Sequence, residues 1–106
     1  MRPVTITAVA FGIVMFVGAC APRMHPEILK AEQALSTVEA DPAIARYAKS
    51  ELDDARDTIQ RARIVWKEQE NNEEVAHLTY VAGRQLEIAK VTAERIQAEN
   101  LQQSLQ

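Results

Sequence analysis

Apolar residues recur along most of the chain at the three- and four-residue intervals of an amphipathic helix. Between Pro42 and Gln69 the apolar and small residues of this series are Ile44, Ala48, Leu52, Ala55, Ile59, Ala62 and Trp66. A second series comprises Val75, Leu78, Ala82, Leu86, Ala89, Ala93 and Ile96. Such spacing places the apolar side chains on one face of each helix. The pattern therefore predicts two long helices, over about residues 42–69 and 73–104.

Capping residues indicate where the helices begin. Asp41 offers an N-cap oxygen and Pro42 suits a first helical position, while Asn72 can cap the last helix. A shorter series, Ile28, Ala31, Leu35 and Val38, predicts a first helix over about residues 27–39. The Asp41-Pro42 junction after it is compatible with either a sharp reversal or a kink.

The two long series fit one antiparallel register. The predicted facing pairs are Trp66–Leu78, Ala62–Ala82, Ile59–Leu86, Ala55–Ala89, Leu52–Ala93 and Ala48–Ile96, and their residue numbers add to 144 or 145 throughout. Layers of paired alanines alternate with layers that hold a larger side chain, which favours close coiled packing. The predicted fold is all-α: a long antiparallel coiled hairpin preceded by a short helix, with no alternation typical of strands.

The N-terminal region has a different pattern. Val4 to Ala19 is an uncharged, mostly apolar run that follows Arg2. As a helix it would span about 24 Å, short of the ~30 Å of a bilayer core. A positive start, an apolar middle and a small-residue end are typical of an export signal, so residues 1–19 are predicted to be a cleaved signal peptide. An uncleaved membrane helix is the alternative.

The end of this run resembles a bacterial lipobox, with Val17, Gly18 and Ala19 before Cys20. The resemblance implies cleavage between Ala19 and Cys20, a diacylglyceryl group on the Cys20 sulfur, and an acyl chain such as palmitate on the new amino terminus. Because Ala21 replaces the aspartate that often retains such proteins in the inner membrane, it also implies the outer membrane, facing the periplasm. A catalytic or redox cysteine is the alternative, although one thiol cannot form an intramolecular disulfide.

The composition indicates where the helical domain begins and excludes one class of partner. Residues 20–26 hold two prolines and are expected to form a tether, leaving residues 27–106 as the helical domain. The net charge of −3, with mixed signs, provides no basic surface for nucleic acid. We therefore expect no nucleic-acid partner.

The third helix carries the candidate binding residues. His77, Tyr80, Arg84, Ile88 and Val91 could form one contact face for a partner, the alternative being ordinary packing against the first helix. A second stripe of Ile88, Val91, Ala98, Leu101 and Leu105 is left free by the hairpin seam, for a partner or a second copy. Gly83 in mid-helix suggests that another helix comes close there, or that the glycine is simply tolerated.

Catalytic and metal sites are not predicted. Glu73 and His77 lie one turn apart, but two ligands without a third make a weak metal site. No nucleophile, base and orienting acid can be assembled, so we expect no enzyme, metal or cofactor.

Two segments resemble a known domain. The stretches DPAIARYAKSELDDARDTI (41–59) and EEVAHLTYVAGRQLEIAKVTAERI (73–96) are similar to an uncharacterised helical domain of bacterial envelope lipoproteins, often found ahead of an OmpA-like peptidoglycan-binding domain. Lys49 replaces a proline that is frequent in that family. No OmpA-like domain and no C-terminal lysine for wall attachment are present, so no direct peptidoglycan-binding domain is expected.

These observations lead to a hypothesis of function. We expect a lipid-anchored, non-enzymatic envelope protein that acts as a structural element or adaptor, binding another envelope protein or itself. The alternative is a small metal- or ligand-responsive sensor that uses Glu73, His77 and the acidic turn at residues 68–74.

Overall fold

The computed structural model describes residues 24–106 and arranges them in four helices. These are α1 (Pro26–Glu39), α2 (Pro42–Tyr47), α3 (Lys49–Gln69) and α4 (Asn72–Ser104). The described chain contains no strand, and α4 packs against α3, which confirms the predicted all-α hairpin. The predicted signal peptide, its cleavage site at Ala19 and Cys20, and the start of the tether lie outside the described residues.

The seam between α3 and α4 is built from the residues that the periodicity selected. Its buried members are Ala48, directly before α3, then Leu52, Ala55, Ile59 and Ala62 on α3, and Val75, Leu78, Ala82, Leu86, Ala89 and Ala93 on α4. The alanines are 0 or 1 % exposed. Small side chains at these layers let the helix backbones approach closely, while the larger residues of neighbouring layers fill the space between them.

Helix α1 runs antiparallel to α3 and therefore parallel to α4. Glu32 pairs with Arg63, and Glu39, seven residues later, pairs with Arg56, seven residues earlier. The inward side of α1 buries Ile28 near its start and Val38 near its end. The Asp41-Pro42 junction consequently belongs to a reversal of the chain, the first of the two possibilities that the sequence left open.

The predicted second helix is divided at Ala48. Asp41 caps α2 as expected, because its carboxylate accepts a hydrogen bond from the Ala43 N–H at 2.9 Å. Helix α2 ends after six residues, and Ala48 has φ −128° and ψ 36°, outside the helical region. The break brings Ile44 into the core cluster that contains Ala89 and Ala93 of α4, and it leaves Ala48 fully buried. Tertiary packing, rather than a local glycine or proline, therefore interrupts this helix.

The turn between α3 and α4 is two residues long. Glu70 adopts a left-handed conformation with φ 50° and donates its backbone N–H to the Trp66 carbonyl. The cap of α4 is Asn71, whose side chain accepts from the Glu74 N–H at 3.1 Å. The predicted cap, Asn72, is instead the first helical residue, so the cap lies one position earlier than expected.

Gly83 lies on an exposed part of α4. A Cβ placed there would meet no atom within 4 Å outside its own helical surroundings. The expectation that another helix approaches Gly83 closely was therefore wrong, and the position is one where glycine is tolerated.

Candidate interaction surface

The five residues predicted as a partner face lie together on the exposed side of α4. Three of them, His77, Arg84 and Val91, are seven residues apart, and Tyr80 and Ile88 lie between them on neighbouring turns. Tyr80, Ile88 and Val91 are 67, 52 and 62 % exposed. We call these five residues the outward face. Helix α1 borders it at Tyr80, which lines a shallow depression with Lys30 and Thr79.

The same seven-residue series continues past the end of the bundle. Ala98 and Leu105 follow Val91 at successive intervals of seven, and Leu101 lies one turn from each. Every residue from 97 to 106 is exposed, with Leu101 at 63 % and Leu105 at 78 %. We call residues 97–106 the C-terminal extension.

The C-terminal extension is exposed because the packed helices end at its first residue. The last groove between α2 and α4 is lined by Ile44, Ala93 and Gln97, among others, and the reversal at residues 40–48 turns the chain back from there. Helix α4 therefore continues for about two turns beyond its neighbours in the described chain. Apolar side chains at helical spacing on such a segment form a surface suited to another helix.

Charges beside the outward face are balanced in sign. Counting Arg84 of the face itself, these charged residues are Arg84, Glu87, Lys90, Glu94, Arg95 and Glu99, three of each sign. Arg95 and Glu99 pair with each other at 3.1 Å on successive turns. Because its charges balance, this face favours neither a phosphate nor a cation. A partner would contact its apolar side chains.

Among the residues that the structure describes, the alternative metal site gains no third ligand. Glu73 and His77 are both exposed on the first two turns of α4. Within residues 24–106, no three side chains of His, Cys, Asp or Glu come together in a way that could hold a metal ion. The nearby acidic residues Glu68, Glu70 and Glu74 are likewise exposed around the turn.

A second feature, at the turn end of the bundle, was not predicted from the sequence. The His25 ring accepts from the Glu27 N–H at 3.1 Å and so caps α1, while its Nε2 lies 2.9 Å from Asn72 Oδ1. The His25 and Trp66 rings meet edge to face, with centroids 4.9 Å apart. The sequence pattern places His25 in the tether, and the signal that marks it as a cap is the proline after it, at the first helical position.

This turn end also carries a partly apolar groove of about 830 Å³. Met24, Ile28 and Trp66 provide its apolar lining, and Arg63 and Lys67 lie at its edge. The Glu32 carboxylate raises the pKa of Arg63 above its ordinary value, first through a hydrogen bond and then through charge attraction. Arg63 is thus engaged in holding α1 against α3.

The family comparison covers almost all of the described chain. Residues 26–105 match the profile of a family described as "Domain of unknown function (DUF4398)". No curated protein and no solved structure matches the chain. Among the residues that the structure describes, none of the helices combines the length and apolar character needed to cross a membrane.

Proposed function

Because the chain belongs to the DUF4398 family, whose description assigns no activity, we propose its function from its surface and its N-terminal sequence. The protein is a non-enzymatic lipoprotein of the bacterial envelope, anchored through Cys20. It acts as an adaptor that binds another envelope protein through the outward face of α4 and the C-terminal extension. The periplasmic side of the outer membrane is its proposed location.

The observation that carries the adaptor role is the exposed apolar series on α4. Inside the bundle, the apolar series along the α3–α4 seam is covered by the facing helix. The series of Val91, Ala98, Leu101 and Leu105 has the same helical spacing, yet it remains exposed. Burying each of these leucines against a partner would contribute about 1.5–3 kcal/mol relative to leaving it exposed.

The anchor is supported by the sequence before the bundle. An apolar run too short to be a stable transmembrane helix ends in small residues directly before the cysteine. One acyl chain holds a protein to a membrane only marginally, whereas two or more chains hold it durably. A triacylated Cys20 would therefore attach the domain to a membrane without a spanning helix.

Replacing the proposed lipid acceptor tests the anchor. Cys20→Ser is expected to move the protein out of the membrane fraction and to abolish the mass increment of the lipid on the N-terminal peptide. The wild-type chain should begin at a modified Cys20 in mass spectrometry. A wild-type protein extracted with its initiator methionine and an unmodified thiol would contradict the proposal.

Photocrosslinking tests the adaptor surface. A photoreactive residue is placed at Val91 or Leu101 in cells, and the matched control is placed at Ile64, which is 48 % exposed on α3. We expect a defined protein adduct from positions 91 and 101 and none from position 64. Equal labelling at all three positions, or no adduct at positions 91 and 101, would contradict a specific docking surface there.

A further inference from the structure

The way the chain enters the bundle gives the molecule a direction relative to the membrane. We propose that the α3–α4 turn faces the bilayer that holds Cys20, and that the C-terminal extension of α4 points away from it. The occupant assigned to the turn end is thus the lipid surface. This inference rests on the lipid anchor proposed above and names the part of the protein that lies next to it.

The chain between the anchor and the bundle is short. Met24, the first described residue, follows Cys20 by four residues. Four residues span at most about 14 Å even when fully extended. Met24 therefore lies within that distance of the residue that carries the lipid.

The start of α1 is attached to the α3–α4 turn. His25 lies 2.9 Å from Asn72 and contacts the Trp66 ring, so it touches both helices that the turn connects. Ile28, one turn further, is 0 % exposed and belongs to the same core cluster as Val75. These contacts prevent the start of α1 from moving away from the turn, and they keep the turn within reach of the anchor.

The C-terminal extension lies far from the turn end of the bundle. Trp66 packs against the cluster that contains Leu78, and Leu101 lies 23 residues further along the same uninterrupted helix. At 1.5 Å per residue, this separation is about 35 Å. The two ends of the bundle are therefore far enough apart to be distinguished by their distance from a lipid surface.

Charge argues against a bundle that lies flat on the outward face of α4. Helices that bind along a bilayer surface carry a polar face rich in Lys and Arg. The charged residues on and beside the outward face of α4, from Arg84 to Glu99, are instead three basic and three acidic. At the turn end, Met24 and Trp66 line a partly apolar groove, while the exposed acidic residues Glu68, Glu70, Glu73 and Glu74 surround the turn. Because tryptophan is enriched where membrane meets water, we expect this groove to lie at the interface of zwitterionic lipid, which does not repel these carboxylates.

Trp66 is the one tryptophan of the chain, so its fluorescence reports directly on the turn end. The lipidated wild-type protein is added to vesicles of zwitterionic phospholipid that contain a dansyl-labelled headgroup lipid, and energy transfer from Trp66 to dansyl is measured. The matched variant carries Trp66→Phe together with Leu101→Trp, which moves the indole to an exposed site at the other end. Circular dichroism verifies that the variant keeps its helicity.

We expect Trp66 to lose most of its emission to dansyl and the indole at position 101 to lose little. Strong transfer from both positions would show that the bundle lies flat, and stronger transfer from position 101 would show the reverse orientation; either result overturns the inference while leaving the anchor intact. Failure of the wild-type protein to float with the vesicles would instead overturn the anchor and, with it, this inference. The wild-type measurement needs no substitution, so weak transfer from Trp66 overturns the inference even if the variant does not fold.

Discussion

The two ends of the bundle differ in how completely their helices are packed. At the turn end, Ile28 and Val75 are both 0 % exposed, and His25 connects the start of α1 to the α3–α4 turn. At the opposite end, α4 continues into an extension in which Leu101 and Leu105 are mostly exposed. Both ends carry apolar residues at helical spacing. The difference shows that spacing alone identifies an apolar face, whereas the path of the chain decides whether that face is covered.

The largest expected difference in stability is between two variants, each of which shortens one aliphatic side chain, one at the turn end and one at the opposite end. Ile28→Ala should lower the free energy of unfolding by about 2–5 kcal/mol, because it removes buried methyl groups and leaves a cavity. Leu101→Ala should change it by less than about 0.5 kcal/mol, since that side chain is exposed. Urea unfolding followed by far-ultraviolet circular dichroism measures both values.

If Ile28→Ala is too unstable to purify, Ile28→Val provides a milder change with an expected cost of about 0.5–1.5 kcal/mol. Similar losses from Ile28→Ala and Leu101→Ala would mean that the extension is packed in solution, and the contrast between the two ends would be lost.

A smaller effect is expected between the ends, where two adjacent residues of α4 occupy opposite environments. Gly83→Ala should raise the free energy of unfolding by about 1 kcal/mol, because it improves helix propensity and meets no neighbouring atom. Its buried neighbour is the control: Ala82→Leu should lower stability by about 1–3 kcal/mol through overpacking. Thermal unfolding of the two variants beside the wild type distinguishes these signs. A destabilising Gly83→Ala would indicate a close neighbour at this position after all.

The smallest expected effect concerns the reversal at the open end. Lys49 is the first residue of α3, a position that favours proline, and Ala48 before it already lies outside the helical region. Lys49→Pro should therefore be tolerated and change the free energy of unfolding by less than about 1 kcal/mol, because restricting the unfolded chain offsets the strain at Ala48, whose ψ of 36° lies outside the extended range preferred before proline. The substitution also removes the exposed Lys49–Asp53 pair, whose contribution is at most small.

The control for this prediction is the same substitution inside a helix. Lys90→Pro should cost about 3 kcal/mol or more, since it removes a backbone hydrogen bond in the middle of α4. Chemical denaturation of the pair tests whether α3 begins at residue 49. If Lys49→Pro destabilises as strongly as Lys90→Pro, the helix runs continuously through residues 42–69.

Much of the fold was predictable because the α3–α4 seam joins two helices that are consecutive in the chain, and because its buried residues recur at regular intervals. Leu52, Ala55 and Ile59 could be matched to Ala93, Ala89 and Leu86 from their spacing alone, since one register satisfies every layer. The break at Ala48 could not be predicted in this way. Its cause is the position of Ile44 against α4, which depends on where the chain reverses rather than on the residues at the break.

The candidate surface was predictable only in part. The exposure of Ile88 and Val91 follows from their position opposite the seam, whereas that of Leu101 depends on where the neighbouring helices end. The role of His25 was not predictable, because its contacts with Trp66 and Asn72 join residues 41 and 47 positions apart in the chain. The environment of Gly83 was likewise a property of packing, which sequence spacing does not specify.

The parallel course of α1 and α4 determines how the domain would respond to tension. The described chain enters at one end of the bundle and leaves at the other. A pull applied between its two termini would run along the helix axes and load α1 against α4 in shear. All the layers between them would then resist together, whereas a chain that entered and left at the same end would be peeled apart one layer at a time.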